Sequence, residues 1–345
     1  MMFPAAGGEF LPRFMTGERA VASPELDLAR LAIIYRPSDD EQNMLTANAI
    51  QKRLLEAGHE VIVHASEPDI AGNLDLVKDL ERQYQPSTLS IIGGDGTESN
   101  FLSAVYESAL DTPVWLIPGG SINDLTHMLY GSYNFHHPEH ALHHGRLARL
   151  HPLQVRMHPQ HGADKQVNVW AYYSLGLTAD IAGKVNSKEH RSKRDYQTTS
   201  IGRLLVDSQL VTQSLPRSQR FVVAEGQEQR SMIDLVLTNG SKMAGKVHFK
   251  DIHLLRPEFG RVELDAPTKA AMTMTIAKAR WLEVQKYTTD KLLFHVELDA
   301  NGPDTLSWQR DGEEAIDNDR LTSGTIITAA VANRGLRVHT KRRQS

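Results

Sequence analysis

Cysteine is absent from this 345-residue chain, which excludes disulfides, thiolate nucleophiles and Cys-based zinc sites and is compatible with a reducing compartment. Long apolar runs are absent too. None approaches the roughly 20 residues that a helix needs to cross a bilayer. The opening stretch MMFPAAGGEFLPRFMTGERA is interrupted by Gly, Pro, Glu9 and Arg13, so it lacks the continuous apolar centre of a signal peptide. Residues 1–28 read as a loosely ordered extension. Nor is charge of one sign in large excess: the formal net charge is −4. No global field therefore draws the chain to nucleic acid or to an anionic membrane. The expectation is a cytoplasmic protein with no transmembrane segment and no nucleic-acid partner. What is present is an ordinary globular composition, 40% hydrophobic and 23% charged, over a length sufficient for two domains with separate cores.

The first third alternates short apolar runs with helical patterns. Leu31–Tyr35, Glu60–His64, Leu89–Ile92 and Val114–Ile117 have the length and flanks of buried strands. Between them lie predicted helices. One opens at Ser38 and Glu41, which have capping-box spacing, and ends near Gly58; others cover about 69–84 and 97–109. Strand and helix in this rhythm predict an open parallel sheet with helical crossovers, an α/β nucleotide-binding domain over 29–135. A His-rich stretch follows, and the domain boundary is placed at about 131–150. Beyond it strand-like segments dominate: 166–174, 219–224, 231–238, 246–255, 260–264, 271–277, 292–298, 305–310 and 325–331, with a helical interruption near 198–213. Short strands separated by turns predict a β-rich, sandwich-like domain over 150–335.

Two glycine loops carry the chemistry. Ile91-Ile92 runs into Gly93-Gly94-Asp95-Gly96-Thr97, after which a helix begins. Glycines there allow positive φ and close approach to a phosphate, and the positive end of the helix favours anionic oxygens. Thr97 offers a hydroxyl to a phosphate oxygen. Asp95 repels phosphates unless it faces a Mg²⁺ or the attacking hydroxyl. The bland reading is a tight strand-to-helix turn. This is not a P-loop, because the lysine of G-x-x-x-x-G-K-[ST] is missing, and it is not the G-x-G-x-x-G dinucleotide fingerprint. After the fourth strand comes Pro118-Gly119-Gly120-Ser121-Ile122-Asn123-Asp124, again glycines, a hydroxyl and a helix start. Alone it could be a capped helix, with Ser121 or Asn123 as cap. Adjacent loops at the C-terminal edge of a parallel sheet share one crevice, so both are expected to face one nucleotide.

Together the loops resemble the diacylglycerol kinase catalytic-domain family, which includes bacterial lipid kinases and sphingosine kinases. That family joins G-G-D-G-T to P-x-G-T-x-N-D, matched here by 118–124 with Ser121 in place of Thr. Asn168–Ala182 resembles its glycine-containing strand opening the second domain. Asn239-Gly240 with Ala244-Gly245 resembles its N-G segment, and Asp311-Gly312-Glu313 its D-G-E motif. The resemblance covers roughly residues 30–340. It implies an ATP- and Mg²⁺-dependent phosphotransferase acting on a lipid hydroxyl of diacylglycerol type, in a cleft between the two domains. A transient membrane-surface contact goes with such a substrate. Gly93, Gly94, Asp95, Gly96, Thr97, Gly120, Ser121, Asn123 and Asp124 would hold the nucleotide. Asp95, Asp311 and Glu313 are the catalytic candidates, with Glu313 favoured as the base for the attacking hydroxyl. Read from the residues alone, RDGEEAIDNDR is a polar hairpin turn.

Several positions depart from the family pattern. The N-P-x-S-G loop expected after the first strand is Arg36-Pro37-Ser38-Asp39-Asp40, without its glycine. The x-N-E that follows G-G-D-G-T is Glu98-Ser99-Asn100. An aspartate that helps hold a structural Mg²⁺ in bacterial members is replaced by Phe259, with Glu258 beside it as a weak substitute. The histidines His136, His137, His140, His143, His144 and His151 read as a solvated linker helix rather than a metal site, there being no H-E-x-x-H. Lys184–Arg194 is locally basic, a solvated loop or an approach to anionic headgroups. Two other functions remain open: a soluble-substrate kinase of the NAD kinase type, which shares G-G-D-G-T but not the second loop, and a non-enzymatic nucleotide- or lipid-binding regulator. Oligomeric state is not legible.

Overall fold

The computed structural model describes residues 29–37, 41–120, 123–131, 145–186, 220–243, 247–249, 253–265, 286–288, 291–298, 304–311, 313–314 and 320–341. The expected extension over 1–28, most of the His-rich stretch, the basic segment beyond Asn186, the helical interruption near 198–213 and the strand expected at 271–277 lie outside them.

Numbered along the chain, the first sheet contains β1 (Arg30–Tyr35), β2 (Glu60–Ala65), β3 (Thr88–Gly93), β4 (Val114–Pro118), β5 (Gly145–Leu150) and β22 (Leu336–Lys341), in the order β2-β1-β3-β4-β22-β5. β1 to β4 pair in parallel. The interiors of β1 and β3 are buried, as expected of strands covered by helices on both sides. Helices α1 (Gln42–Glu56), α2 (Ile70–Gln83), α3 (Asp95–Glu107) and α4 (Asp124–Tyr130) make the crossovers. One apolar core joins these strands and helices around Ile33, Ile91, Phe101 and Trp115.

The cap of α1 differs from the sequence expectation. Glu41 is itself the N-cap, in the left-handed region at φ 54°, and its side chain makes no capping bond. Gly58, at φ +88°, ends the helix, where a left-handed residue comes cheaply. α2 starts as expected, with the Asp69 carboxylate accepting from the Gly72 N–H at 2.8 Å.

The second sheet, β10-β9-β16-β21-β6-β7, uses β6 (Leu153–His158), β7 (Lys165–Val169), β9 (Phe221–Glu225), β10 (Glu228–Met232), β16 (Leu292–Leu298) and β21 (Thr325–Val331). The third, β15-β14-β11-β8-β18-β19, uses β8 (Tyr172–Gly176), β11 (Asp234–Thr238), β14 (Phe259–Leu264), β15 (Lys286–Thr288), β18 (Trp308–Arg310) and β19 (Glu313–Glu314). These two antiparallel sheets pack face to face around Tyr173, Phe221, Leu235, Phe259, Phe294 and Ile327, which makes the sandwich. β12 (Lys242–Met243) with β13 (Val247–His248), and β17 (Thr305–Leu306) with β20 (Leu321–Thr322), form two short ladders. Helix α5 (Leu177–Asn186) follows β8.

The fold class is therefore the expected α/β arrangement, an open parallel sheet followed by a β-rich sandwich. Its boundaries are redrawn by two strands. β5 and β22 pair with each other and extend the first sheet beyond β4, so residues 145–150 and 336–341 join the unit expected to span 29–135. The chain crosses to the sandwich at His151-Pro152 and returns at 332–335. Those crossings are tied together: Ala332 N–H donates to the Pro152 carbonyl at 2.9 Å, and His151 Nδ1 lies 2.9 Å from the Ala332 carbonyl oxygen.

Candidate active site

The chain order of β1 to β4 against their order in the sheet creates a topological switch point between β1 and β3, because β1 leads outward to β2 and the chain returns to β3 on the other side. Ligands in open α/β sheets bind at the carboxyl ends of the strands at such a point. Arg36 follows β1 there, Gly93 ends β3 with Gly94 after it, and Gly119-Gly120 follow β4.

The two glycine loops lie back to back. A Cβ on Gly120 would fall 2.5 Å from the Gly94 Cα, and one on Gly94 would fall 3.3 Å from the Gly120 Cα. Gly119 N–H donates to the Gly93 carbonyl at 2.7 Å. A Cβ on Gly119 would run into Asn43 Oδ1, while Asn43 Nδ2 donates to the Arg36 carbonyl at 3.1 Å. Three loops thus meet at buried Asn43. This corrects one part of the sequence reading. Gly94 is extended at φ −93°, and none of Gly93, Gly94, Gly96, Gly119 and Gly120 takes a positive φ. The loop glycines are needed for close packing of backbone on backbone and not for left-handed turns.

α3 begins at Asp95, two residues before its expected start, with Gly94 as an N-cap that offers no side-chain acceptor. Its first N–H groups therefore keep their capacity for an anion. Asp95 Oδ1 accepts from the Leu125 N–H at 3.1 Å, so this carboxylate caps α4 from the neighbouring loop. α4 needs that help. Its own N-cap, Asn123, sits at φ 56° and spends its side chain on Gly120, accepting from the Gly120 N–H at 2.9 Å and donating to the Gly120 carbonyl at 2.6 Å. Burial and the nearby charge of Asp124 push Asp95 up to about 7. Two carboxylates from adjacent loops are thus held side by side, and each raises the cost of charging the other.

Around this pair the second domain closes in. Asp311 is 3% exposed and sits at φ 49°. Its Oδ1 accepts from the N–H groups of Ala171 (2.7 Å) and Tyr172 (3.0 Å), and its Oδ2 from Trp170 N–H (3.0 Å) and Ser99 Oγ (2.6 Å). Four donors occupy the carboxylate. Asp311, one of the expected catalytic candidates, gathers the break between β7 and β8 and fastens it to α3. α3 presents a stripe at i, i+4 and i+7 for that contact. Ser99 meets Asp311, Ser103 Oγ accepts from Trp170 Nε1 at 3.0 Å, and the Tyr106 ring lies edge-on to Trp170. Asn100 accepts from Arg310 across the same junction at 2.7 Å.

Two residues that the sequence reading did not single out as site residues belong to this group. Tyr172 is buried beside Asp124, Asp95 and Asp311; burial first, then those charges, hold its phenol well above the ordinary value, so it stays a neutral donor. Glu98 is fully buried. Its Oε1 accepts from Thr126 Oγ1 at 2.5 Å, and burial, then the Asp95 charge, raises its carboxyl well above the usual range. Glu98 therefore ties α3 to α4 as a neutral acid. Only the departure at x-N-E hinted at it.

Among the expected nucleotide residues, Thr97 is buried and its Oγ1 accepts from Arg36 at 3.3 Å. Ser121 and Gly312 lie outside the described residues. The Glu313 backbone pairs with Arg310 in β19, at the cleft end of sheet three next to Asp311. Phe259 is fully buried in the sandwich core, and Glu258 faces Arg256 at 3.6 Å, so this stretch does not fit a structural Mg²⁺. A nucleotide-borne Mg²⁺ fits the other end, where the half-buried Asp95 and the buried Asp124 are two carboxylates whose mutual repulsion a cation would relieve; such ions use few protein ligands beside phosphates. No group of three or more His, Asp or Glu side chains forms a metal cage among the described residues. No described helix is long and apolar enough to cross a membrane.

The comparisons with known proteins agree with this geometry. Residues 30–156 match the model of the diacylglycerol kinase catalytic domain. A Staphylococcus haemolyticus protein named "putative lipid kinase" is 34% identical over 70 residues, a match spanning 20% of this chain and 23% of that protein's length. A diacylglycerol kinase structure from Bacillus anthracis superposes with TM-score 0.63 at 11% identity, covering 92% of this chain and 98% of the other. The yeast NADH kinase in complex with NADH superposes with TM-score 0.50 at 11% identity, covering 91% and 85%. At such identities the structures testify to a shared fold. Residues 30–156, the stretch that matches the diacylglycerol kinase catalytic-domain model, carry both glycine loops.

Proposed function

We propose that this chain is a lipid kinase that transfers the γ-phosphate of ATP to a hydroxyl of a diacylglycerol-like lipid. The observation that carries the reading is the junction of the two loops. Gly94 and Gly120 pack backbone to backbone, Asp95 stitches one loop to the helix of the other, and the start of α3 is left without a side-chain cap. That arrangement suits phosphates bound along the loop edge, with Thr97, Ser121 and Asn123 as further polar contacts. Mg²⁺ carried by the nucleotide would be held by Asp95 and Asp124 and would neutralise phosphate charge.

In this reading the lipid hydroxyl oxygen attacks the γ-phosphorus, ADP leaves, and the hydroxyl proton passes to Glu313. Asp311 keeps the Trp170–Tyr172 segment against α3 so that the cleft has one shape. Tyr172 supports an apolar acceptor, because beyond the carboxylates it packs with Val236, Met243, Phe249 and Val262. Contact with a membrane would be transient, at the mouth of the cleft.

ATP consumption with a panel of lipids in mixed micelles, and with NAD, tests the proposal for wild type and Asp95→Asn. Phosphate transfer to a lipid that the substitution abolishes supports it. Transfer to NAD alone would sink it and favour the NAD kinase type, whose fold the yeast NADH kinase shares. ATP binding without turnover on any acceptor would favour a regulator.

A further inference from the structure

Among the described residues, the cradle is short of positive charge. Asp95 and Asp124 bring two carboxylates to it, and the lysine that a P-loop would supply is missing from the first glycine loop. ATP would add several negative charges to the same place. The nucleotide's Mg²⁺ would offset only part of that charge, and a fixed cation on the rim would offset more of it.

Arg36 stands where such a cation is needed. It is the first residue after β1, on the opposite side of the switch point from Gly93-Gly94. Its backbone is pinned on both sides: its N–H donates to the Ile92 carbonyl at 2.9 Å, and its carbonyl accepts from Asn43 Nδ2 at 3.1 Å. The side chain reaches across the gap, and Nη1 donates to Thr97 Oγ1 at 3.3 Å. A guanidinium carries five N–H donors in a fork that matches phosphate oxygens. Among the described residues one is used, on the neutral Thr97 hydroxyl, and Arg36 is exposed. Arg310, a second guanidinium near the cleft among the described residues, is half-buried and donates to Asn100 at 2.7 Å.

We propose that Arg36 is a phosphate-binding residue: its guanidinium, hinged on Thr97, grips the polyphosphate of the nucleotide at the rim of the Gly93–Thr97 loop. The inference rests on the kinase reading above and adds a residue to it. It also gives a physical sense to the altered first loop. A backbone cradle that lacks its glycine is replaced by a side-chain fork reaching the same oxygens. Thr97 then has two tasks, accepting from the Arg36 side chain and offering its own hydroxyl hydrogen to phosphate.

The test is calorimetric titration of wild type, Arg36→Gln and Arg36→Lys with ATP, adenosine and inorganic tripolyphosphate, in Mg²⁺ buffer. Arg36 is exposed, so the variants are expected to keep the unfolding temperature of wild type. The inference expects Arg36→Gln to weaken ATP and tripolyphosphate about tenfold or more, with adenosine within about twofold of wild type. Arg36→Lys is expected to fall between, because it keeps the charge and loses the fork. Equal ATP affinity in wild type and Arg36→Gln overturns the inference and leaves the kinase reading standing. Equal loss for ATP and adenosine overturns it as well, since that would be damage to the loop. Wild type that binds neither ATP nor tripolyphosphate overturns both together.

Discussion

Asp95, half-buried, and Asp311, buried, are aspartates next to a glycine that face the same cleft, yet the protein treats them differently. Asp311 is surrounded by donors: three backbone N–H groups and the Ser99 hydroxyl satisfy its two oxygens. Asp95 accepts only from backbone at the start of α4, from Leu125 N–H at 3.1 Å and from Asp124, lies beside the Asp124 carboxylate, and is pushed up to about 7. A carboxylate whose lone pairs are filled by the fold is an anchor. One held near a second carboxylate with capacity to spare keeps its free energy for a ligand. The contrast separates the first sheet, where charge is left under-satisfied at the loop edge, from the sandwich, where it is consumed in holding the chain.

Substitutions at the two aspartates should divide along that line. Asp311→Ala leaves three buried N–H groups without an acceptor and releases β8 from α3. It is expected to cost about 3–5 kcal/mol of stability, read as a lowered midpoint in urea unfolding. Asp95→Asn is expected to remain folded and to lose about a hundredfold or more of phosphate transfer, on the scale of losing one electrostatic contact to the transferring group. If the two variants unfold at the same denaturant concentration, the division fails.

Gly120→Ala probes the loop junction with a smaller effect. The added Cβ would lie 2.5 Å from the Gly94 Cα, where backbone has no rotamer to yield. The expected cost is about 1–3 kcal/mol together with weakened ATP binding, whereas Gly226→Ala, whose Cβ would meet nothing within 4 Å, is expected to leave ATP binding unchanged. The pH dependence of stability sharpens the comparison further. Asp95 and Asp234 are both raised to about 7, burial being the first cause for each. Their protons are bound in the folded chain and lost in the unfolded chain between about pH 4 and pH 7. Stability is then full below about pH 4 and falls as pH rises toward 7, on the order of 3 kcal/mol for each group. Asp95→Asn is expected to flatten part of that slope in the ligand-free protein, as thermal unfolding from pH 4.5 to 8 would register.

Much of this arrangement was legible in the residues. The four parallel strands showed as short apolar runs, and the two glycine loops marked the strand edge that carries the site. The long-range partners were not legible. Asp95 meets Leu125 thirty positions on, and Asp311 meets Ala171 across 140; no local pattern encodes either pairing. The D-G turn at 311–312 looked like a polar hairpin because its purpose depends on donors from β8. The run 166–174 read as one strand, yet it breaks at Trp170-Ala171 because Asp311 draws those N–H groups out of the ladder. β22 was missed because Leu336–Lys341 runs into a basic terminus and carries His339, a buried histidine that burial lowers to about 4. β5 was missed because Arg146 and Arg149 interrupt its apolar positions. Arg36 was seen only as a departure from a loop. Its reach to Thr97 follows from β1 lying beside β3, a neighbour relation that strand order decides.

The most direct measurement of the central claim pairs function with folding at Asp95. Phosphate transfer from γ-labelled ATP to diacylglycerol in mixed micelles would be followed for wild type and Asp95→Asn, alongside thermal unfolding of both. The expected result is labelled lipid from wild type and at least a hundredfold less from Asp95→Asn, with the variant unfolding at or above the wild-type temperature near pH 7. An Asp95→Asn variant that transfers phosphate as fast as wild type would contradict the account.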